Sequence, residues 1–343
     1  MPSKATHNKC RVPAEWEPHS ATWLAWPYGN ESFADRIPSI EYIYLRIISV
    51  LCRNERIRLI VRPQQRKEVQ EKIVSAQIDL SQIDLLEADY ADVWARDWGP
   101  TFVSENGKIA FVKWIYNAYG NKFPELVKDN AVVDQLPLLR DIERLDSNIV
   151  MEGGAIEVNG TGTVLTTEET LLNKNRNAEL TREQIEQKIH SCIGTKKMIW
   201  LKRGLLNDHT DGHIDEIARF VSADTIIYAW ADTGVNHDIM SENLEILKNA
   251  TDSLHSPFKL IPLPLPSMQY GNGESAPVSY CNFYIGNGVV LVPQFDHPND
   301  SQAREILADT FPGREIIGID STDLIYGGGG IHCITQQEPV VDL

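Results

Sequence analysis

The hydrophobic positions fall into short runs that recur in one order. Apolar runs at 21–26 and 57–61 predict strands. Between them, Ile40, Ile43, Leu45, Ile47, Ile48 and Leu51 repeat at helical spacing and predict a helix over 39–53. The order of strand, polar loop, helix and strand returns three times: 163–167, 181–192 and 197–201; then 225–230, 241–249 and 259–263; then 289–293, 301–311 and 315–319. A weaker copy starts at 108–114, with a helix expected over 132–144.

Each of the four later copies follows a hairpin turn: Asn106-Gly107, Asn159-Gly160, Ala223-Asp224 and Asn287-Gly288. Asn-Gly is the strongest short hairpin signal, because both central residues must reach positive φ. A polar stretch precedes each hairpin, at 94–100, 152–155, 208–216 and 279–282. A fifth, 327–333, comes where the chain runs out. Its missing partner is the strand at 21–26, which has no polar stretch before it. The pattern therefore predicts an α/β chain of five similar units, closed by joining its N- and C-terminal segments in one sheet, rather than a doubly wound sheet.

Composition narrows the class. The 343 residues are 42% hydrophobic and 23% charged, with ordinary globular balance, and are expected to form one domain, 1–343, with 1–11 as a loose N-terminal arm. That arm is polar, without the apolar core of a secretory signal, and no apolar run is long enough to span a bilayer. Five widely spaced cysteines (Cys10, Cys52, Cys192, Cys281 and Cys333) suggest free thiols in a reducing, cytoplasmic setting. No CxxC or HExxH spacing points to zinc. The net charge of −16 disfavours nucleic acid and anionic membranes as partners.

In a closed array, equivalent loops meet on one axis, so the polar stretches become candidates for one site. They bring Trp94, Arg96 and Asp97; Glu152; Asp208, His209, Asp211, His213 and Asp215; and His332 with Cys333. Four glycines, Gly327 to Gly330, give access to Cys333, which the alternation of Ile331 to Gln336 places on a short strand. Alone, such a cysteine is more often a small buried side chain. Similarly, Asp97 could simply pair with Arg96, and Trp94 could be core. Together, a thiol and an imidazole make a nucleophile with a proton shuttle. The alternation of His213, Ile214 and Asp215 points His213 and Asp215 to one side. One carboxylate suffices to orient an imidazole; several around a thiol suggest a cationic substrate, and a planar guanidinium pairs best with carboxylates. His209 and His332 are read as structural.

The stretches PAEWEPHSATWLAWP, VWARDWGPTFV, MEGGAIEVNGTGTVLTTEETLLNKNRN, DGHIDEIARF and GGGGIHCITQQEP together resemble the agmatine deiminase family of the guanidino-modifying pentein superfamily, in the family's order over nearly the whole chain. The resemblance implies a five-bladed α/β propeller, the pentein fold. It also implies hydrolysis of agmatine to N-carbamoylputrescine and ammonia without metal or organic cofactor, a place in polyamine biosynthesis, and a homo-oligomer as an open expectation. It makes Cys333 the nucleophile and His213 the general acid and base. Asp97 and Asp215 become the grip on the guanidinium, Glu152 a further site carboxylate and Trp94 an aromatic wall. The chain departs from the family pattern at Trp98, where Thr is usual, at Gly330, where Asn is common, and at Tyr119 within NAYGN. The alternatives are a deiminase of arginine, methylarginine or peptidyl-arginine, an amidinotransferase, and a non-enzymatic polyamine binder.

Overall fold

The computed structural model describes residues 10–29 and 32–341. Its strands form five separate sheets of three or four strands among those residues. In four of them, an antiparallel hairpin is followed by a third strand parallel to the second. Thr101–Glu105 pairs with Lys108–Ile115 across Asn106-Gly107, and Glu143–Val150 runs parallel beside it. Glu157–Val158, Thr163–Thr167 and Lys197–Leu201 form the next sheet. Ala218–Ser222, Thr225–Trp230 and Lys259–Pro264 follow, then Tyr284–Gly286, Val289–Gln294 and Glu315–Asp320. Asn106 and Gly107 have φ of 52° and 78°, as a two-residue turn of this hand requires.

The fifth sheet is made from both ends of the chain. Gln336–Pro339 lies antiparallel to His19–Ala25, with Gln336 opposite Trp23. Arg56–Val61 and Ile83–Glu87 continue that sheet in parallel. The C-terminal strand thus occupies the place that the first hairpin strand holds elsewhere, as expected from the unpartnered run at 21–26. The strand itself is displaced. Ile331–Ile334, expected as extended chain, is a helical turn, and the strand begins at Gln336.

The connecting helices Ile37–Leu51, Arg182–Ile193, Val235–Asn249 and Asp300–Thr310 fall where the periodicity puts them. Arg182–Ile193 begins with a capping box, Thr181 with Gln184, and ends at Gly194 in the left-handed region. The weak helix over 132–144 is not continuous. It is one turn, Val132–Gln135, interrupted before Pro137, and Glu143 and Arg144 already belong to a strand. The expected arm at 1–11 lies outside the described residues up to position 9; Cys10 and Arg11 pair with Glu105 and Ser104. Among the described residues no helix is long and apolar enough to cross a membrane.

Candidate active site

Each candidate side chain lies where a unit begins. Asp97 sits on the turn Ala95–Trp98, just ahead of strand Thr101–Glu105. Glu152 directly precedes the turn Gly153–Ala155. His213 and Asp215 lie at the turn Ile214–Glu216, and Cys333 on Ile331–Ile334. With Trp94, all are at most 5% exposed.

Two local predictions are corrected for the same reason. Residues 213–215 alternate like a strand, but Ile214–Glu216 is a 3-10 turn. The His213 backbone N–H donates to Asp208 Oδ2 at 3.0 Å and to Thr210 Oγ1 at 3.2 Å, not to a neighbouring strand. The Cys333 segment turns because the His332 N–H donates to Asn282 Oδ1 at 2.8 Å, while Thr335 Oγ1 donates back to Ile331 O at 2.9 Å. Side-chain acceptors take the backbone donors, so local alternation does not decide the conformation. His213 and Asp215 nevertheless face the same point.

That point is the missing side chain of Gly154. A Cβ there would lie 2.7 Å from His213 Nδ1, 2.8 Å from Asp97 Oδ1 and 3.0 Å from Asp215 Oδ2. The Gly154 N–H donates to Asp97 Oδ1 at 3.0 Å, and Tyr119 OH donates to Asp97 Oδ2 at 2.8 Å. His213 Nδ1 lies 3.8 Å from Asp97 Oδ1, and Nε2 lies 3.8 Å from Glu152 Oε2. Among the described residues neither ring nitrogen has a hydrogen-bond partner. Burial opposes charge on this ring, but Asp97, Glu152 and Asp215 outweigh it and lift His213 to about 9. Burial raises Asp97 to about 6: His213 draws it down, while Asp215 and Glu152 push it up. Glu152, despite burial, is held below its ordinary value by His213 and by Arg176, whose Nε donates to it at 2.9 Å.

Cys333 stands on the other side of Asp215, its Sγ 3.9 Å from Asp215 Oδ2 and 3.8 Å from Glu216 Oε1. Burial, then Asp215, Glu216 and Asp97, push its thiol well above the ordinary value. A Cβ on Gly329 would touch both Trp94 Cζ3, at 2.7 Å, and Cys333 Sγ, at 3.2 Å. The glycine run therefore lets the indole edge and the sulfur approach one another. Asp215, Glu216 and Cys333 bring one ligand atom each within 4.8 Å of the others, a set compact enough to surround one cation, metallic or organic. Much of it is already committed. Asp215 Oδ2 bonds His332 Nδ1 at 2.7 Å, and Glu216 Oε1 and Cys333 Sγ both accept from Asn282. Among the described residues Asp215 Oδ1 and Glu216 Oε2 remain without hydrogen-bond partners. These two oxygens are acceptors that a buried cation could reach.

Beside Trp94 a cavity of about 310 Å³ opens between Tyr119, Phe123, His209 and Gly328, with Asp92 and Glu125 in its wall and, among the described residues, no Lys or Arg. A larger cleft, about 860 Å³ beside His19 and Cys52, contains none of the groups above.

Several residues that build this site were not singled out from sequence. Arg176 fixes Glu152; Glu216 and Asn282 flank the sulfur. His332, read as structural, bridges Asp215 and Glu15, whose Oε2 is 2.8 Å from His332 Nε2. Arg219 Nη2 lies 2.9 Å from Glu15 Oε1. Glu15, Arg176 and Glu216 lie within the quoted stretches PAEWEP, NKNRN and DGHIDE, and Asn282 ends a polar stretch already noted. Their positions were in view; their contacts depend on tertiary structure.

The sequence model of the Porphyromonas-type peptidyl-arginine deiminase family matches residues 11–339. The agmatine deiminase of Stutzerimonas stutzeri is 33% identical, covering 96% of this chain and 95% of that protein. The agmatine deiminase of Medicago truncatula is 32% identical, covering 98% of each. The solved structure of the agmatine deiminase of Enterococcus faecalis superposes with a TM-score of 0.89 at 29% identity, over 96% of both chains. With identity and fold shared over 96% or more of its length, this chain belongs to the agmatine deiminase family, a family of α/β enzymes.

Proposed function

We propose that this protein hydrolyses agmatine to N-carbamoylputrescine and ammonia, as a cytoplasmic step in polyamine biosynthesis. We also infer that residues 1–343 form one catalytic domain whose five sheets stand as the blades of a five-bladed propeller, closed where the two chain ends pair. The observation that carries the reading is a thiol and an imidazole sharing one buried space with Asp97, Glu152 and Asp215. Cleaving an amide would need one such carboxylate; three suit a substrate that brings its own positive charge.

In this reading Asp97 and Asp215 hold the guanidinium nitrogens and place the central carbon over Cys333. Trp94 walls the channel. The resting thiol is held neutral by burial and by the surrounding acids; the arriving cation offsets that charge, and the thiol proton leaves to solvent. The thiolate attacks the guanidinium carbon. His213, carrying its proton, gives it to one NH2 group, which departs as ammonia and leaves an S-alkylthiouronium. Neutral His213 then takes a proton from the attacking water. Collapse expels the Cys333 thiolate, leaves the urea, and passes the hydroxyl proton to solvent. Glu152, fixed by Arg176, orients and charges His213. The cavity wall favours agmatine over free arginine: Glu125 suits a distal ammonium, whereas an α-carboxylate would want a cation there.

The test is a panel of agmatine, arginine, methylarginine and an arginine peptide, assayed for ammonia and for the urea product. Agmatine should be turned over fastest, with one N-carbamoylputrescine per ammonia. Ammonia mainly from another member would move the substrate, amidino transfer to an added amine without ammonia would change the reaction class, and no turnover of any would refute the reading.

A further inference from the structure

Asn282 has the geometry of a working group rather than a filler. It is 1% exposed, and all of its hydrogen-bonding capacity is directed at the Cys333 turn and the acid beside it. Oδ1 accepts from the His332 N–H at 2.8 Å and from the Cys333 N–H at 3.4 Å. Nδ2 donates to Glu216 Oε1 at 2.8 Å and to Cys333 Sγ at 3.2 Å. The two backbone donors fix the orientation of the amide, since a flipped group would set NH2 against N–H. One N–H is therefore aimed at the sulfur, and Glu216 anchors the other.

We propose that Asn282 is a further catalytic residue, the hydrogen-bond donor that stabilises the Cys333 thiolate as it forms. This rests on Cys333 being the nucleophile. The need for a donor is plain from the surroundings. Asp215 and Glu216 face Sγ from the 214–216 turn, and Asp97 adds to their field from the 95–98 turn. Asp215 and Asp97 oppose a negative sulfur, and so does Glu216 whenever it is ionised, although burial and Asp215 push its carboxyl well above the ordinary value; the Gly330 backbone offers one hydrogen bond in the other direction. The opposing cation, His213, makes no hydrogen bond to the thiol. Among the described residues the Asn282 amide is the side-chain N–H donor within bonding distance of the sulfur. A thiol needs this bond less than a thiolate does, so the contact strengthens as the reaction proceeds.

Two variants separate the donor from the cap. Asn282→Asp keeps an oxygen for the His332 and Cys333 N–H groups but replaces the amine; Asn282→Leu removes both functions without adding charge. The readout is the rate of Cys333 alkylation by iodoacetamide against pH, followed by mass spectrometry of the Cys333 peptide, with kcat and KM measured in parallel. Losing a hydrogen bond to a charged group should move the thiolate midpoint up by about one to two pH units and lower kcat by about ten- to a hundredfold, with KM changed far less. Asn282→Asp also adds a charge that raises the midpoint by itself, so the neutral variant decides: an unchanged midpoint in Asn282→Leu would overturn the proposal. If neither variant folds, the wild-type protein decides: the Asn282 side-chain amide proton should shift downfield in NMR as Cys333 ionises, and a static resonance would refute the assignment. Because alkylation reads the sulfur directly, it is independent of turnover. A Cys333→Ala variant with full activity would instead overturn the nucleophile reading beneath the proposal.

Discussion

Gly154→Ala is the sharpest test of the site, because one methyl group would enter the point where three candidate side chains meet. The distances of 2.7, 2.8 and 3.0 Å to His213 Nδ1, Asp97 Oδ1 and Asp215 Oδ2 fall short of an ordinary 3.4 Å contact by about 0.7, 0.6 and 0.4 Å. None of the three groups is the free end of a flexible surface chain. Asp97 is held by Tyr119 and by Gly154 itself, and Asp215 by His332. Overpacking of this kind costs about 1–3 kcal/mol of stability. Displacement approaching 1 Å in a positioned site costs about a hundredfold in rate. We therefore expect kcat/KM for agmatine to fall by about a hundredfold while the variant still folds. Continuous ammonia release gives the rate, and a thermal melt gives the stability. Gly271→Ala is the control, since a Cβ there meets nothing within 4 Å. A Gly154→Ala enzyme with wild-type kcat/KM would show that these side chains do not act as one site.

Three further outcomes follow from the charges. With Asp97 near 6 and His213 near 9, kcat/KM should rise through about pH 6 as Asp97 ionises and fall through about pH 9 as His213 loses its proton; a flat profile between pH 5 and 10 would contradict both roles. The His213 value lies above its ordinary 6.5, so the stability that its charge contributes is fully present below 6.5 and is lost as pH rises through 9, readable as a falling melting temperature over that window. Arg176→Met leaves Glu152 buried without its guanidinium, which should cost about 3–5 kcal/mol of stability. It should also let Glu152 rise toward neutrality, so the basic limb of the pH profile moves down; a normal melt with an unmoved basic limb would show that Arg176 does not act through Glu152.

Much of the fold was legible because its signals are local. Asn-Gly pairs fix hairpins through backbone sterics alone, and the 3.6-residue repeat from Ile40 to Leu51 buries one face whatever surrounds it. The unpartnered runs at the two ends gave the shared sheet, because an open strand edge needs covering. The misreadings have a common origin. At 213–215 and 331–334 the period-two pattern is present, but side chains take the backbone donors: Asp208 and Thr210, five and three residues before His213, close a local turn there, whereas Asn282 lies 50 residues from His332, where no local pattern reveals it. The same holds for Arg176 and Glu216: an arginine in NKNRN looks like a surface charge until Glu152 is placed against it.

The placement of Cys333 shows why the chain ends must meet. The strand after it pairs with His19–Ala25, and His332, its neighbour, is tied to Glu15 in the segment just before that strand. Glu15 also accepts the Ile285 N–H at 2.8 Å and faces Arg219 at 2.9 Å and Arg96 at 3.4 Å. Despite burial, Arg219, His332 and Arg96 hold it well below the ordinary carboxylate range, so it remains a charge. One N-terminal carboxylate therefore links elements from three other units to the turn that carries the sulfur. Asp215 is gripped from behind by the same histidine through Oδ2, and its Oδ1 has no hydrogen-bond partner among the described residues. The anions that would receive a cation are thus fixed by long-range contacts before any cation arrives. That is the condition under which burying them serves binding rather than merely lowering stability.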